Sequence, residues 1–351
     1  MIPFSTGVCQ AENAAETSPG GWHQELAQAY RDTDSLLAAL GLTAADLPDG
    51  AAPAADFPVR VPRGYVARMA PGDPDDPLLL QVLPRGAEAI DSPGFMRDPV
   101  GDTAALARPG LLHKYHGRVL LMATEACPVH CRYCFRRHYP YAENRAGDAR
   151  WSEAMAYIRE HEDIREVILS GGDPLSLGDE RLAALSDGLR SIPHIKRLRI
   201  HSRMPIVLPE RVDTGLLAWI RSLPWQTVLV THANHANEIT PPVSHALGRL
   251  REAGVTLLNQ AVLLHLINDT VQAQADLSET LFDSGVMPYY LHLLDRVQGA
   301  AHFEVPDRKA QRLLSDLQRR LPGFLVPRMV RETAGWPHKI PVGHQALADT
   351  A

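Results

Sequence analysis

The chain has 351 residues, 45% of them apolar, a formal net charge of −6 and four cysteines. That much apolar material fills one barrel-sized domain or two smaller ones, and the negative charge excludes a global basic field of the kind that gathers nucleic acid. No apolar run approaches the ~20 residues of a membrane span, and MIPFSTGVCQAENAAETSPGG at the start lacks the basic and apolar regions of a secretory signal, so a reducing cytoplasm is the expected setting.

Residues 1–110 read as an N-terminal helical and wrapping region. WHQELAQAYRDTDSLLAALGL carries apolar residues at helical spacing, among them Leu26, Ala29, Tyr30, Leu36, Leu37 and Leu40. A stretch rich in proline, aspartate and glycine follows, including APGDPDDPLL, which punctuates turns. From about residue 117 a rhythm begins. The strand candidates are RVLLMAT, EVILSGG, RLRIHSR, TVLVTHA, TLLNQAVLL and MPYYLHLLD. Between them lie the helix candidates WSEAMAYIREH, DERLAALSDGLRSI, TGLLAWIRSL, VSHALGRLREAG and QADLSETLFDSG. Such alternation predicts an α/β fold with a parallel sheet, a barrel or an open one, over residues 111–300. Residues 301–351 form a C-terminal segment.

The polar residues favour the barrel. The first strand is followed by the cysteines. The second ends in Gly171, Gly172 and Asp173, the third in His201, Ser202 and Arg203, and the fourth at His232. The fifth carries Asn259 and Gln260, and Asp295 closes the sixth. Barrels of this class build their active sites at the carboxyl ends of their strands. Cys9 stands alone and reads as a bystander thiol.

Cys127, Cys131 and Cys134 are spaced C-x3-C-x2-C. A zinc site takes four closed ligands, so zinc here needs His130 or His138 as the fourth. An iron–sulfur cube also takes four, and three thiolates leave one iron open to a chelating small molecule. That spacing resembles the radical S-adenosylmethionine enzymes, whose open iron binds the amine and carboxylate of the methionine moiety. The resemblance implies a [4Fe–4S] cluster on the three cysteines in a partial (β/α)6 barrel. It also implies S-adenosylmethionine beside Tyr133 and the glycine-rich strand end Ser170, Gly171, Gly172 and Asp173, with His232 and Gln260 as further contacts. The glycines are expected to let backbone approach the bound amino acid moiety.

CRYCFRR, SGGDPL, SRMPIVLPERV, THANHANEIT, GVTLLNQAVLL, MPYYLHLLD and HFEVP together resemble the lysine 2,3-aminomutase family over residues 60–343. The resemblance extends to RMVRETAGWPHKIPVG, where Lys339 matches the lysine that carries pyridoxal phosphate. It implies that Lys114, Tyr115 and Arg118 hold the phosphate, with lysine at 114 where the catabolic branch has arginine. It also implies that Arg136 grips the substrate carboxylate, while Asp295 and Glu332 take the ε-ammonium. Glutamate at 332 departs from the aspartate of the catabolic enzymes. A buried acid left without its partner costs ~3–5 kcal/mol, so two acids select lysine over a neutral or acidic substrate. The rival arrangement has Asp295 and Glu332 paired with Arg296 and Arg331 on a surface.

PGLLHKYHGRVLL and VMPYYLHLLDRVQGAAHF look most like the shorter branch, which makes (R)-β-lysine for elongation factor P. That implies a functional link to elongation factor P and its lysine ligase, and a reductant such as flavodoxin or ferredoxin. A catabolic lysine 2,3-aminomutase and a non-catalytic iron–sulfur module are the alternatives.

Overall fold

The structure, a computed structural model, describes residues 21–50, 57–141 and 148–343; Cys9 lies outside them. One ten-stranded sheet runs through it in chain order. Strands β1 (Leu106–Arg108) and β2 (Leu111–Tyr115) form an antiparallel edge leading into β3 (Arg118–Thr124). From β3 the sheet is parallel through β4 (Glu166–Gly171), β5 (Arg197–Ser202), β6 (Gln226–Thr231), β7 (Thr256–Leu263), β8 (Met287–Leu293) and β9 (Arg328–Arg331). The two-residue β10 (Ile340–Pro341) turns back antiparallel to β9. Each parallel strand pairs with its successor, so the strand order never reverses. That is single winding, as in a barrel, and not the doubly wound order with its switch point. Periodicity in the sequence left this choice open. The six expected strands are β3 to β8. The edge strands were not foreseen, because runs of two to five residues are too short to show alternation.

The helices are α1 (Gly21–Ala27), α2 (Thr33–Ala39), the single turn α3 (Arg63–Val66), α4 (Asp148–Glu160), α5 (Asp179–Arg190), the single turn α6 (Met204–Val207), α7 (Thr214–Ser222), α8 (Pro241–Glu252), α9 (Val271–Asp283) and α10 (Asp307–Arg320). The apolar run over residues 22–42 is two helices. Asp32 interrupts it in an extended conformation and caps α2, its side chain accepting from Ser35 N at 2.7 Å. Helices α5 and α8 bury Leu182, Leu185 and Leu189, and Val243, Leu247 and Leu250, at spacings of three and four. Residues of the wrapping region, such as Val61, Tyr65, Leu79 and Leu83, belong to the same core as the strands.

Strand alternation then divides the sheet's two faces. In β7 the odd-numbered Leu257, Asn259, Ala261 and Leu263 are buried, and Gln260 and Val262 line the interior cavity. In β5 Leu198 and Ile200 enter the core while Arg199 and His201 line the cavity.

Candidate functional site

A cavity of about 570 Å³ opens at the carboxyl ends of the strands. The three cysteines, Lys339 and every other residue to which the resemblance assigns a cofactor or substrate contact line it.

Cys127, Cys131 and Cys134 are free thiols on the loop after β3. The loop turns tightly, with Cys134 N donating to Cys131 O at 3.0 Å. Burial, and then the neighbouring thiols, push the Cys134 thiol up to about 11 and Cys127 well above its ordinary value. Cys127 and Cys134 so placed become thiolates only against a strong cationic centre. Among the described residues neither His130 nor His138 joins the thiols in a metal-ligand group. His130 Nδ1 lies 2.7 Å from Pro58 O and its ring stacks on Phe57, while His138 Nε2 lies 3.1 Å from Gln298 O. Among the described residues no three His, Cys, Asp or Glu side chains converge on a single-ion site. Three thiols at this spacing fit a cluster that takes one thiolate per metal and leaves one metal open.

The three arginines of this loop part ways. Arg132 and Arg137 both pair with buried Glu88, at 2.6 and 2.7 Å. That carboxylate ties both of them into the fold. Arg136 lines the cavity; its Nε donates to Asp102 at 2.7 Å and its Nη1 to Ser170 Oγ at 3.1 Å. Arg203, at the end of β5, reaches in from the opposite side. It donates to Cys131 Sγ at 2.7 Å, and to Tyr65, Gln81 and Glu238. Tyr133 accepts from Asn234 Nδ2 at 2.7 Å and meets Phe303 edge-on.

The glycines of the second strand end have a nearer reason than a ligand. Gly171 has φ +115°, and a Cβ there would stand 2.5 Å from Thr124 O; at Gly172 it would stand 2.4 Å from Ala126 O. The strand end is pressed against the cysteine loop, and only glycine permits that approach. The Asp173 carboxylate is likewise occupied by the fold, accepting from Ser202 Oγ, Arg203 N, Met204 N and Leu175 N within 3.0 Å. It braces the ends of β4 and β5.

Gln260 Nε2 lies 2.9 Å from His232 Nε2, joining the ends of β6 and β7. Burial, and then nearby arginines, hold His232 down at about 3. Asn259 faces the other way and bonds to Thr231 and Ala233. His201 and His292 each present a buried Nε2 without a hydrogen-bond partner. His292 also stays neutral, pushed down to about 3 by burial and by Lys339.

Lys339 reaches the cavity through the β9–β10 hairpin. Arg331 pairs with Ile340, so Glu332 and Lys339 are the next cross-strand neighbours, and their side chains form an ion pair. Lys114 Nζ stands 3.2 Å from the same carboxylate and 2.6 Å from Asp102. Burial pushes the Glu332 carboxyl up, but Lys339 and Lys114 outweigh it and hold it at about 2. Asp295 goes the other way, raised to about 7 by burial and by the Glu332 charge. Arg118 lies over the Tyr115 ring at 4.6 Å. The rival surface pairing does not occur, because Arg296 binds Glu304 and Arg331 binds Asp307.

Sequence reasoning missed Asp102, Asn234 and His292, and did not connect Arg203 with the cysteines. Asn234 sits inside THANHANEIT and could have been nominated with His232. Asp102 lies in a turn-rich stretch with no period to mark it.

Residues 121–214 match the radical SAM superfamily. The chain is 48% identical to an L-lysine 2,3-aminomutase of Escherichia coli (strain K12), over 92% of this chain and 95% of that one. Identity to an L-lysine 2,3-aminomutase of Haemophilus influenzae is 46%, over 91% and 94%. Identity to one from Clostridium subterminale is 37%, over 79% and 67%. A solved radical SAM methyltransferase from Sphaerobacter thermophilus overlaps loosely, with a TM-score of 0.44 and 15% identity over 63% of this chain and 68% of that one.

Proposed function

From the premise that this chain belongs to the lysine 2,3-aminomutase family of radical SAM enzymes, an isomerase family, we propose that it converts (S)-α-lysine to (R)-β-lysine for attachment to elongation factor P. The family works with a [4Fe–4S] cluster, S-adenosylmethionine and pyridoxal phosphate. Together these supply a carbon radical strong enough to take hydrogen from C3 and a π bond across which nitrogen can migrate.

The chain's own part is to bind, orient and exclude water. In this reading Cys127, Cys131 and Cys134 ligate the cluster. Tyr133, Ser170, Gly171, Gly172, Asp173, His232 and Gln260 surround S-adenosylmethionine. The two glycines and Asp173 also hold the cysteine loop and the strand ends in place. Lys339 carries the pyridoxal phosphate, and Lys114, Tyr115 and Arg118 face its phosphate. Arg136 forks onto the substrate carboxylate, and Asp295 and Glu332 take the ε-ammonium.

One observation carries this reading. A single cavity joins three thiols to Lys339, with a buried arginine and two acids between them. A monopolar or neutral substrate would leave one end of that cavity uncompensated. The test is anaerobic incubation of the reduced protein with lysine and S-adenosylmethionine, followed by chiral analysis. (R)-β-Lysine with 5′-deoxyadenosine is expected; neither product forming overturns the reading in favour of an inert iron–sulfur module. Transfer of the product onto elongation factor P by its lysine ligase separates this role from lysine catabolism. Flavodoxin or ferredoxin is the expected electron source.

A further inference from the structure

Glu332 already has partners for both of its oxygens. Oε1 faces Lys114 Nζ at 3.2 Å and Oε2 pairs with Lys339 Nζ. Lys114 is held from its other side by Asp102 at 2.6 Å and by the Val100 carbonyl at 2.9 Å. Asp102 in turn ties Arg136 at 2.7 Å. An alternating chain of charge thus crosses the cavity wall: Arg136, Asp102, Lys114, Glu332, Lys339. A carboxylate between two ammonium groups attracts a third poorly, since its own field is largely neutralised and the newcomer meets two like charges.

The two lysines on Glu332 are the groups that pyridoxal phosphate recruits, Lys339 by the aldehyde and Lys114 by the phosphate. Condensation joins Lys339 Nζ to the aldehyde carbon. Two of the ammonium's protons leave with the carbonyl oxygen as water and the third passes to solvent, with no redox change. The free ammonium that faced Glu332 is then gone. We propose that Glu332 couples cofactor loading to substrate recognition: engagement of Lys339 releases the Glu332 carboxylate, which then takes the ammonium at the far end of the substrate chain. The inference rests on the reading of Asp295 and Glu332 given above. It makes the two ligands mutually reinforcing, each raising the affinity of the other by the same factor. It also makes the cavity favour cofactor before substrate.

The probe is 6-aminohexanoate, which has a carboxylate and a terminal ammonium but no amine beside the carboxylate to compete for the aldehyde. Its binding is measured by calorimetry on the full-length, cluster-reconstituted protein, stripped of pyridoxal phosphate and then loaded with it. Hexanoate serves as the control without an ammonium. Loading is expected to tighten 6-aminohexanoate tenfold or more, about 1.4 kcal/mol, and to leave hexanoate within twofold. In reciprocal titrations, saturating 6-aminohexanoate should tighten pyridoxal phosphate by the same factor. Glu332→Gln should erase the difference between the two forms.

Equal affinity of the wild-type protein in both forms overturns the coupling, while loss of that affinity in Asp295→Asn would keep the ammonium assignment standing. Equal tightening of hexanoate also overturns the coupling, since cavity ordering and not charge would then be responsible. Failure of 6-aminohexanoate to bind either form removes the ammonium assignment and the coupling with it.

Discussion

The cavity has two ends, and they treat buried charge in opposite ways. At the cysteine end the buried carboxylates are answered by the fold. Glu238 is fully buried and accepts from Arg203, Gln81 and the Asn234 and His235 amides. Asp173 takes four donors, and Glu88 takes two arginines. At the lysine end the charges answer one another across open space. Lys339 and Lys114 share one carboxylate, Asp295 is lifted to about 7, and His292 has a buried nitrogen without a partner. Fully satisfied networks rigidify, whereas incompletely satisfied ones leave groups free to change partners. The first end is built to hold a cluster loop still. The second is built to exchange ligands.

The contrast can be broken most severely at its two anchor points. Cys131→Ala should reduce iron and sulfide content and abolish reductive cleavage of S-adenosylmethionine. Lys339→Ala should retain the iron but lose borohydride-fixable pyridoxal phosphate and all detectable turnover. Retained cleavage in the first variant, or retained fixation at the same site in the second, would refute the assigned roles.

Next in size is the rigid end's own ion pair. Glu238→Gln leaves Arg203 buried without its anion, and should destabilise the chain by about 3–5 kcal/mol, read from the denaturant midpoint. A loss well below that would mean the cysteine end is softer than its bonding implies.

Asp295 and Glu332 sharpen the comparison through pH. Asp295 has a folded-state pKa above its unfolded value, so the folded chain binds more protons between about pH 4 and 7. Its contribution to stability is therefore lost as pH rises through that window. Glu332, held at about 2, contributes in the reverse sense, with stability lost as pH falls below about 4. Asp295→Asn should thus stabilise the cofactor-free protein at pH 7.5 by on the order of 1–2 kcal/mol, with the gain vanishing near pH 4. The same variant should weaken lysine binding well beyond tenfold. A pH-independent stability difference would contradict the elevated carboxyl.

The smallest effect is expected just outside the cavity. Arg331 ends β9 next to Glu332, but its partner is the exposed Asp307 at 2.6 Å. Arg331→Ala should change stability by less than about 1 kcal/mol and leave lysine affinity unaltered. A large loss of affinity would bring the rival surface pairing back.

Family resemblance alone marked Lys339; local chemistry in the sequence determined the cysteine loop and the six strands of the parallel sheet. Each of these depends on spacing, and spacing survives in one dimension: two-residue alternation sets the face of Gln260 or His201 whatever the rest of the chain does. The break at Asp32 was legible too, in Asp32 followed three residues later by Ser35, but the apolar periodicity across it masked the cap. What only the tertiary structure decided is who answers each charge. Arg136 meets Asp102 across 34 positions, and Lys114 meets Glu332 across 218. No period links such pairs. The partner of a carboxylate depends on which cation long-range packing brings within hydrogen-bond reach, and so does its pKa. For that reason Asp295 and Glu332 look equivalent as acidic residues in the sequence yet sit at about 7 and about 2 in the folded chain.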